Sequence, residues 1–471
     1  VNSSSTNQPN HAINQPTRVY LDHAASSPLR PEVEEAMARV SRAMNPAGQY
    51  ATGRDARRQL EEAREQIAEI LGADPVEVIF TGSGTEADNI AVQGLALAAR
   101  RKNSQRNRIY SSGIEHPAVA QTVDLLAGEP FNFDAREIAL ADGDGADHRS
   151  AVGETSPNTA SNPPGANDHS AEDRAATAAR DVDSEKHCLI DHQWLERELD
   201  AHAEHTALVT TMWANNETGC IQPIDDIARI IAGFVGERPE PAPGSAHALA
   251  PQELPVIQHV PWHIDAVQVV GHLPVDFHAL GADTLAASAH KFGGPRSAGI
   301  LLARRDAQIL SPIRGGGQER GLRSGTVNVQ AAVGTAVALA SSIKEAEEDT
   351  RKVAAMRDHV RAAIENIDGV RIWTQEPALP GHLHASFPGA EGDSLIMLLD
   401  VAGVDASTGS ACSAGVNRAS TVLATMGVPV DVARGALRLT FGADNTMEQA
   451  KDLARRLPLI VEQARAAGMA Y

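Results

Sequence analysis

The sequence holds 471 residues, 42% of them hydrophobic and 22% charged, which suits two or three compact units with a substantial core. A formal charge of −20 excludes general attraction to a phosphate backbone, although a local basic patch could still touch RNA. No run approaches the roughly 18 apolar residues of a membrane span, and three cysteines without a CxxC pair give neither a disulfide framework nor a zinc site, pointing to a reducing cytoplasm.

In chain order, residues 1–17 are polar, without the apolar segment of a secretory signal, and read as a flexible tail. From Leu29 onward helical periodicity alternates with short β-rich runs. Residues 57–71, RRQLEEAREQIAEIL, carry apolar side chains at helical spacing and end at Gly72, a C-cap candidate. Residues 76–80 predict a strand, 81–89 a loop and 90–100 a helix. Further strands are predicted at 207–213, 256–265, 284–288 and 299–303. Strands separated by helices predict an α/β fold with a sheet of parallel order. Aromatics are only 3% of the chain, so Ala, Val, Ile and Leu must supply most of the packing. Residues 142–186 hold almost no large apolar side chains and read as disordered. A shorter Pro/Ala-rich stretch, 237–253, reads as a second excursion. The pattern resumes after each, giving a large unit over 18–328. An Ala-rich helical region from Val329 then opens a smaller unit over 329–471.

Four stretches carry candidate chemistry. In SAHKFGGP, Ser288 to Pro295, Lys291 follows an apolar strand at a glycine turn. A desolvated lysine can form a Schiff base with an aldehyde, though a lysine near a turn is ordinarily a surface residue. In HIDAVQ, Asp265 ends an apolar strand, where a carboxylate needs either a cationic partner or a capping role on the next helix. In TGSGTEADN, small residues between strand and helix could aim N–H groups at an anion, or could simply form a turn; neither a Walker A nor a GxGxxG pattern is present. In STGSACSAG, Cys412 lies among small residues that offer no apolar pocket, which favours a reactive, mobile thiol. Cys188 and Cys220 read as structural or incidental. ADGDGAD lacks the closing Glu of a calcium loop, and His202 and His205 lack a third ligand, so no metal site is expected.

Taken together and in order, YLDHAASSPLRPEV, FTGSGTEADNIAV, IEHPAV, NNETGCIQPI, HIDAVQ, SAHKFGGP, GGGQERGLRSGTVN and STGSACSAG resemble the cysteine desulfurases of the class V aminotransferase family. That family has the α/β fold type I of the pyridoxal-phosphate enzymes, which implies a large domain with a mainly parallel mixed sheet plus a smaller α+β C-terminal domain, and the longer cysteine loop looks like its housekeeping and nitrogen-fixation branch. The resemblance implies pyridoxal 5'-phosphate as cofactor, L-cysteine as substrate, a homodimer, and a sulfur-acceptor protein such as an iron–sulfur scaffold or a tRNA thiolation enzyme. It implies that Lys291 anchors the cofactor and moves protons, that His116 stacks on the ring, and that Asp265 pairs with the ring nitrogen. Gln268 would bond the phenolic oxygen, while Gly84, Thr85, Ser288 and His290 would hold the phosphate, with Thr326 reaching it from the partner subunit. Arg438 and Asn216 would hold the substrate carboxylate, and Cys412 would receive the sulfur. The chain departs from the family in its two insertions, in Ala289, and in Arg296–Ser297 where Lys-Gly is more frequent. Selenocysteine lyase, an aminotransferase and a non-catalytic scaffold are the competing readings.

Overall fold

The computed structural model describes residues 18–142, 186–234, 259–409 and 420–468. The predicted tail, residues 143–185 and 237–253 of the two insertions, and Cys412 therefore lie outside the described residues. The strands are β1 (Val19–Tyr20), β2 (Val78–Thr81), β3 (Arg108–Ser112), β4 (Asp134–Ile138), β5 (Leu140–Asp142), β6 (Lys186–Ile190) and β7 (Thr206–Met212). There follow β8 (Trp262–Asp265), β9 (Thr284–Ser288), β10 (Gly299–Ala303), β11 (Arg371–Ile372), β12 (His382–Ser386), β13 (Val404–Asp405) and β14 (Ala436–Thr440).

A seven-stranded sheet has the order β2-β10-β9-β8-β7-β3-β4. Strands β9, β8, β7, β3 and β4 are parallel, and β10 runs against both of its neighbours. Strand β2, antiparallel to β10, therefore points the same way as the parallel five. The mainly parallel order is the one expected from the alternation of strands and helices, and the mixed character is the one implied by fold type I. Strands β2, β7, β8, β9 and β10 are buried at every position. Burial on both faces explains why they read as unbroken apolar runs rather than alternating ones. The surrounding core is aliphatic, with Ile67, Leu71, Val209, Ile264, Leu285 and Ile300 all fully buried.

Local chemistry sets the element ends. Gly72 closes the helix Ala51–Leu71 at φ 62°, a left-handed conformation that suits a residue without Cβ. The predicted strand at 76 starts instead at Val78, because Asp74 and Glu77 cap a 3₁₀ turn over Pro75–Glu77. The helix predicted from Ile90 begins at Gly84 (Gly84–Lys102). Ser83 Oγ accepts from the Glu86 amide at 3.1 Å, and Glu86 Oε2 accepts from the Gly82 amide at 3.0 Å. That capping turns residues 84–89, two thirds of the predicted loop, into helix. Of the predicted 256–265 strand, residues 256–258 lie outside the described residues and β8 covers Trp262–Asp265.

The smaller unit is built on β12, antiparallel to both β11 and β14. Met356, Leu383, Leu395, Leu437 and Leu457 form its core, together with Leu21 from the N-terminal segment. That segment crosses over because β1 pairs parallel with β13. The helix Val329–Ile364, 36 residues long, gives Ala332 and Leu339 to the large core and Val353, Met356 and Val360 to the small one. Strands β5 and β6 pair antiparallel, bringing Asp142 opposite Lys186 at the two ends of segment 143–185. Among the described residues no helix is long and apolar enough to cross a membrane.

Candidate active site

Because β2, β3, β7, β8 and β9 share a direction, their C-terminal ends open on one edge of the sheet, where α/β folds ordinarily place a site. Asp265 is the last residue of β8, and Ser288 ends β9 just before the 3₁₀ turn Ala289–Lys291. His116 follows β3 and caps the helix Pro117–Ala127, its Nδ1 accepting from the Ala118 amide at 3.1 Å. Asn216 follows β7, and Gly84 and Thr85 follow β2. Arg438 enters from β14 of the smaller unit.

Lys291 is half-buried, and its Nζ donates to the carbonyls of Ala24 at 2.6 Å and Ala25 at 3.1 Å. Gln268 Nε2 donates to the same Ala24 carbonyl at 3.0 Å, so one oxygen gathers two predicted site residues. The N-terminal strap is fastened beside them: the Ser27 amide donates to the His290 carbonyl, and Ser27 Oγ to the Lys291 carbonyl, each at 2.8 Å. Burial and the Arg438 charge lower the Lys291 amine to about 8, against the pull of Asp265 and Asp22. Burial raises the Asp265 carboxyl, opposed by His116 and Lys291. Burial also lowers His116, with Asp265 pulling it back up. Lys291, Asp265 and His116 thus act on one another as a single electrostatic group.

Sequence reasoning did not single out Glu115. It is buried, accepts from Ser112 Oγ at 2.6 Å and the Met212 amide at 2.9 Å, and is pushed up by burial to about 8. Its only local signal is its place beside His116 in IEHPAV. Asp22 was likewise passed over, within YLDHAASS. Arg438 Nη2 donates to Asp22 Oδ1 at 2.6 Å and Nη1 to the Asn216 carbonyl at 2.8 Å, while the buried Nε has no partner.

At the helix start, a Cβ on Gly84 would lie 2.8 Å from Val267 Cγ2 and 3.2 Å from Ser288 Cβ, so glycine permits that close approach. Ser288 is buried, and burial lowers the half-buried His290 to about 4, aided by Lys291 and Arg296. Thr85 and Thr326 are exposed. The loop bearing Thr326 is held near the helix start by Arg323, whose Nε donates to Glu86 Oε1 at 2.7 Å. Both flanks of segment 410–419 come to Glu217, the neighbour of Asn216. Ser420 Oγ donates to Glu217 Oε2 at 2.5 Å, and a Cβ on Gly409 would lie 3.5 Å from that oxygen. Cys188 and Cys220 are free and lie buried in an apolar cluster with Ile114, Met212 and Trp373. A separate cavity of about 280 Å³ adjoins the strap, lined in part by His23, Ala24, Gln268, His272 and His382; Lys291, His116 and Asp265 are not among its walls.

The model of the class-V aminotransferases matches residues 19–131 and 256–453, stretches that supply Gly84, His116, Asp265, Ser288, Lys291 and Arg438 but not β7, the segment after it or the two buried cysteines. The chain belongs to that family. Within it, the chain is a homologue of the IscS-type cysteine desulfurases. It is 38% identical over 455 residues to the IscS-like cysteine desulfurase of Mycobacterium tuberculosis, covering 96% of this chain and 98% of that one. Among solved structures, a NifS-like protein superposes with a TM-score of 0.73 at 28% identity, covering 95% of this chain and 100% of its own. SspA in complex with cysteine superposes with a TM-score of 0.65 at 26% identity, covering 90% and 99%.

Class-V membership implies pyridoxal phosphate, and the residues present fit it. Asp265 is the test. A carboxylate buried to 5% exposure accepts a bond from the Val267 amide at 2.9 Å and is raised by its own burial. A cationic ring nitrogen would offset that cost. An amine close to its uncharged form at Lys291 and a close-packed helix start at Gly84 and Ser288 are the other two features such a cofactor needs.

Proposed function

We propose that this chain is a pyridoxal-phosphate-dependent cysteine desulfurase. It takes sulfur from L-cysteine, releases L-alanine, and carries the sulfur as a persulfide on Cys412 to an acceptor protein. The observation that carries this reading is Lys291, an amine lowered to about 8 beside Asp265 and Arg438 at the ends of parallel strands. SspA, a relative solved in complex with cysteine, supports that amino acid as substrate.

Each residue then has a task. Gly84, Thr85, Ser288 and His290 hold the phosphate at the helix start, where N–H groups and the helix dipole favour an anion. Thr326 completes that site across a homodimer. Asp265 pairs with the ring nitrogen, Gln268 holds the phenolic oxygen, and His116 stacks on the ring. When bound, pyridoxal phosphate supplies the electron sink for breaking Cα–H and weakening Cβ–S. Lys291 removes and returns protons at the substrate carbons, assisted by His116. Arg438, with Asn216, holds the substrate carboxylate through its planar fork. The Cys412 thiolate attacks the substrate sulfur, forming S–S as Cβ–S breaks. The electron pair of that bond passes to carbon, which is protonated on the way to alanine. The meeting of both flanks of segment 410–419 at Glu217 supports delivery of Cys412 to this edge. Free, buried Cys188 and Cys220 accord with a reducing cytoplasm. The acceptor is an iron–sulfur scaffold or a tRNA thiolation enzyme, and no direct binding of nucleic acid is involved.

The test is the Cys412→Ser variant loaded with pyridoxal phosphate. The expected result is an unchanged visible cofactor band with loss of sulfide and persulfide formation from cysteine. Continued sulfur release would point to a lyase or transaminase reaction instead. Absence of any cofactor band in the wild type would point to a scaffold.

A further inference from the structure

Arg438 meets a carboxylate before any substrate arrives. Its guanidinium is nearly sealed from solvent, with 5% of the side chain exposed, and it pairs with Asp22 at 2.6 Å. The Asn216 carbonyl takes Nη1 at 2.8 Å, and Nε remains buried without a partner. A buried guanidinium without counter-charge is costly, so in the free protein Asp22 balances a charge that the proposed substrate would otherwise balance. Two carboxylates on one buried guanidinium repel each other, whereas one suffices to neutralise it.

We infer that Asp22 is a resident carboxylate that competes with the substrate carboxylate for Arg438, and so sets the affinity for α-amino acids. The inference rests on the reading of Arg438 as the substrate-carboxylate site. Apparent affinity is reduced by the fraction of molecules in which Asp22 occupies the guanidinium. A ligand without a carboxylate gains nothing when Asp22 is neutralised, whereas an amino acid does. The geometry also makes a clean variant available. The backbone at Asp22 is held independently of its side chain, its carbonyl accepting from Tyr20 Oη and the Ala25 amide, each at 3.0 Å, and from the Ser26 amide at 3.2 Å. Asn at this position keeps an acceptor oxygen for Arg438 and removes only the charge.

The experiment uses the full chain loaded with pyridoxal phosphate, titrated with L-alanine and with ethylamine while the visible band is followed. Asp22→Asn is expected to bind L-alanine about five- to tenfold more tightly, as a charge-assisted competitor becomes a neutral one, and to leave ethylamine affinity within about twofold. The KM for cysteine is expected to fall by the same factor. Unchanged or weaker alanine binding, or a parallel shift for both ligands, would overturn the competition and leave Asp22 a structural residue. A wild-type band that responds to neither ligand removes the desulfurase reading itself, and the inference with it. A wild-type response with the wrong ratio in the variant removes the inference alone.

Discussion

At the scale of single residues, Lys291 shows how burial and neighbouring charge together reset an amine. Burial and Arg438 together outweigh Asp265 and Asp22, and the amine falls from 10.5 to about 8. Only the uncharged amine attacks an aldehyde. The rate of pyridoxal-phosphate attachment to cofactor-free protein should therefore rise about tenfold per pH unit below 8 and level off above it. Stopped-flow absorbance measures this; a midpoint near 10.5 would mean that the amine is solvated. The linked stability has a definite sign. Between 8 and 10.5 the unfolded chain binds the proton that the folded chain has lost, so this group adds stability as pH rises through that window. Lys291 and Asp265 were marked as candidates by local context, an apolar strand and a glycine turn, and Cys412 by a run of small residues; none of those contexts by itself assigned a role. Asp22 and Glu115 were not marked. The partner of Asp22 lies 416 positions away, and the cost of burying Glu115 arises only when β3 and β7 pair.

At the scale of elements, the loop before Thr326 is anchored by a buried ion pair. Arg64 of the helix Ala51–Leu71 donates to Glu319 through Nη1 at 3.0 Å and Nη2 at 2.8 Å, and Glu319 also accepts from the Phe80 amide of β2 at 2.7 Å. The side chains are only 10% and 3% exposed, so deleting Glu319 leaves the buried Arg64 with only the half-exposed Glu61, 3.1 Å from its Nε, as counter-charge. Glu319→Ala should cost about 3–5 kcal/mol in urea unfolding. It should also weaken cofactor retention, because Arg323 and Thr326 lie on the same loop; a loss below about 1 kcal/mol would mean that Arg64 finds water. In GGGQERGLRSGTVN the glycines were readable as a turn, but the glutamate as an anchor was not, since its partners come from a helix and a strand hundreds of residues earlier. The early start of the helix at Gly84 was readable in principle, as Ser-x-x-Glu at Ser83 and Glu86, and was hidden by the glycines around it.

At the scale of the whole molecule, the pairing of β5 with β6 means that segment 143–185 leaves and rejoins the sheet at one place. Replacing it with Asn-Gly, a turn suited to a two-residue hairpin, should keep the cofactor band and leave thermal stability equal or higher, because closing a shorter loop costs less entropy. A lost band would show that the segment supports the site. The helix Val329–Ile364 and the N-terminal strap tie the two cores together, the strap carrying Leu21 into one while its Ala24 carbonyl holds Lys291 of the other. Patterning alone determined the α/β class and the strands at 284–288 and 299–303, because each depends on neighbours within a few residues. Tertiary structure decided the reversed direction of β10, the crossing of the N-terminal segment into the smaller unit, and the carboxylate that waits on Arg438. Those features come from pairing and from desolvation between distant parts of the chain, and neither leaves a periodic or local mark in a sequence.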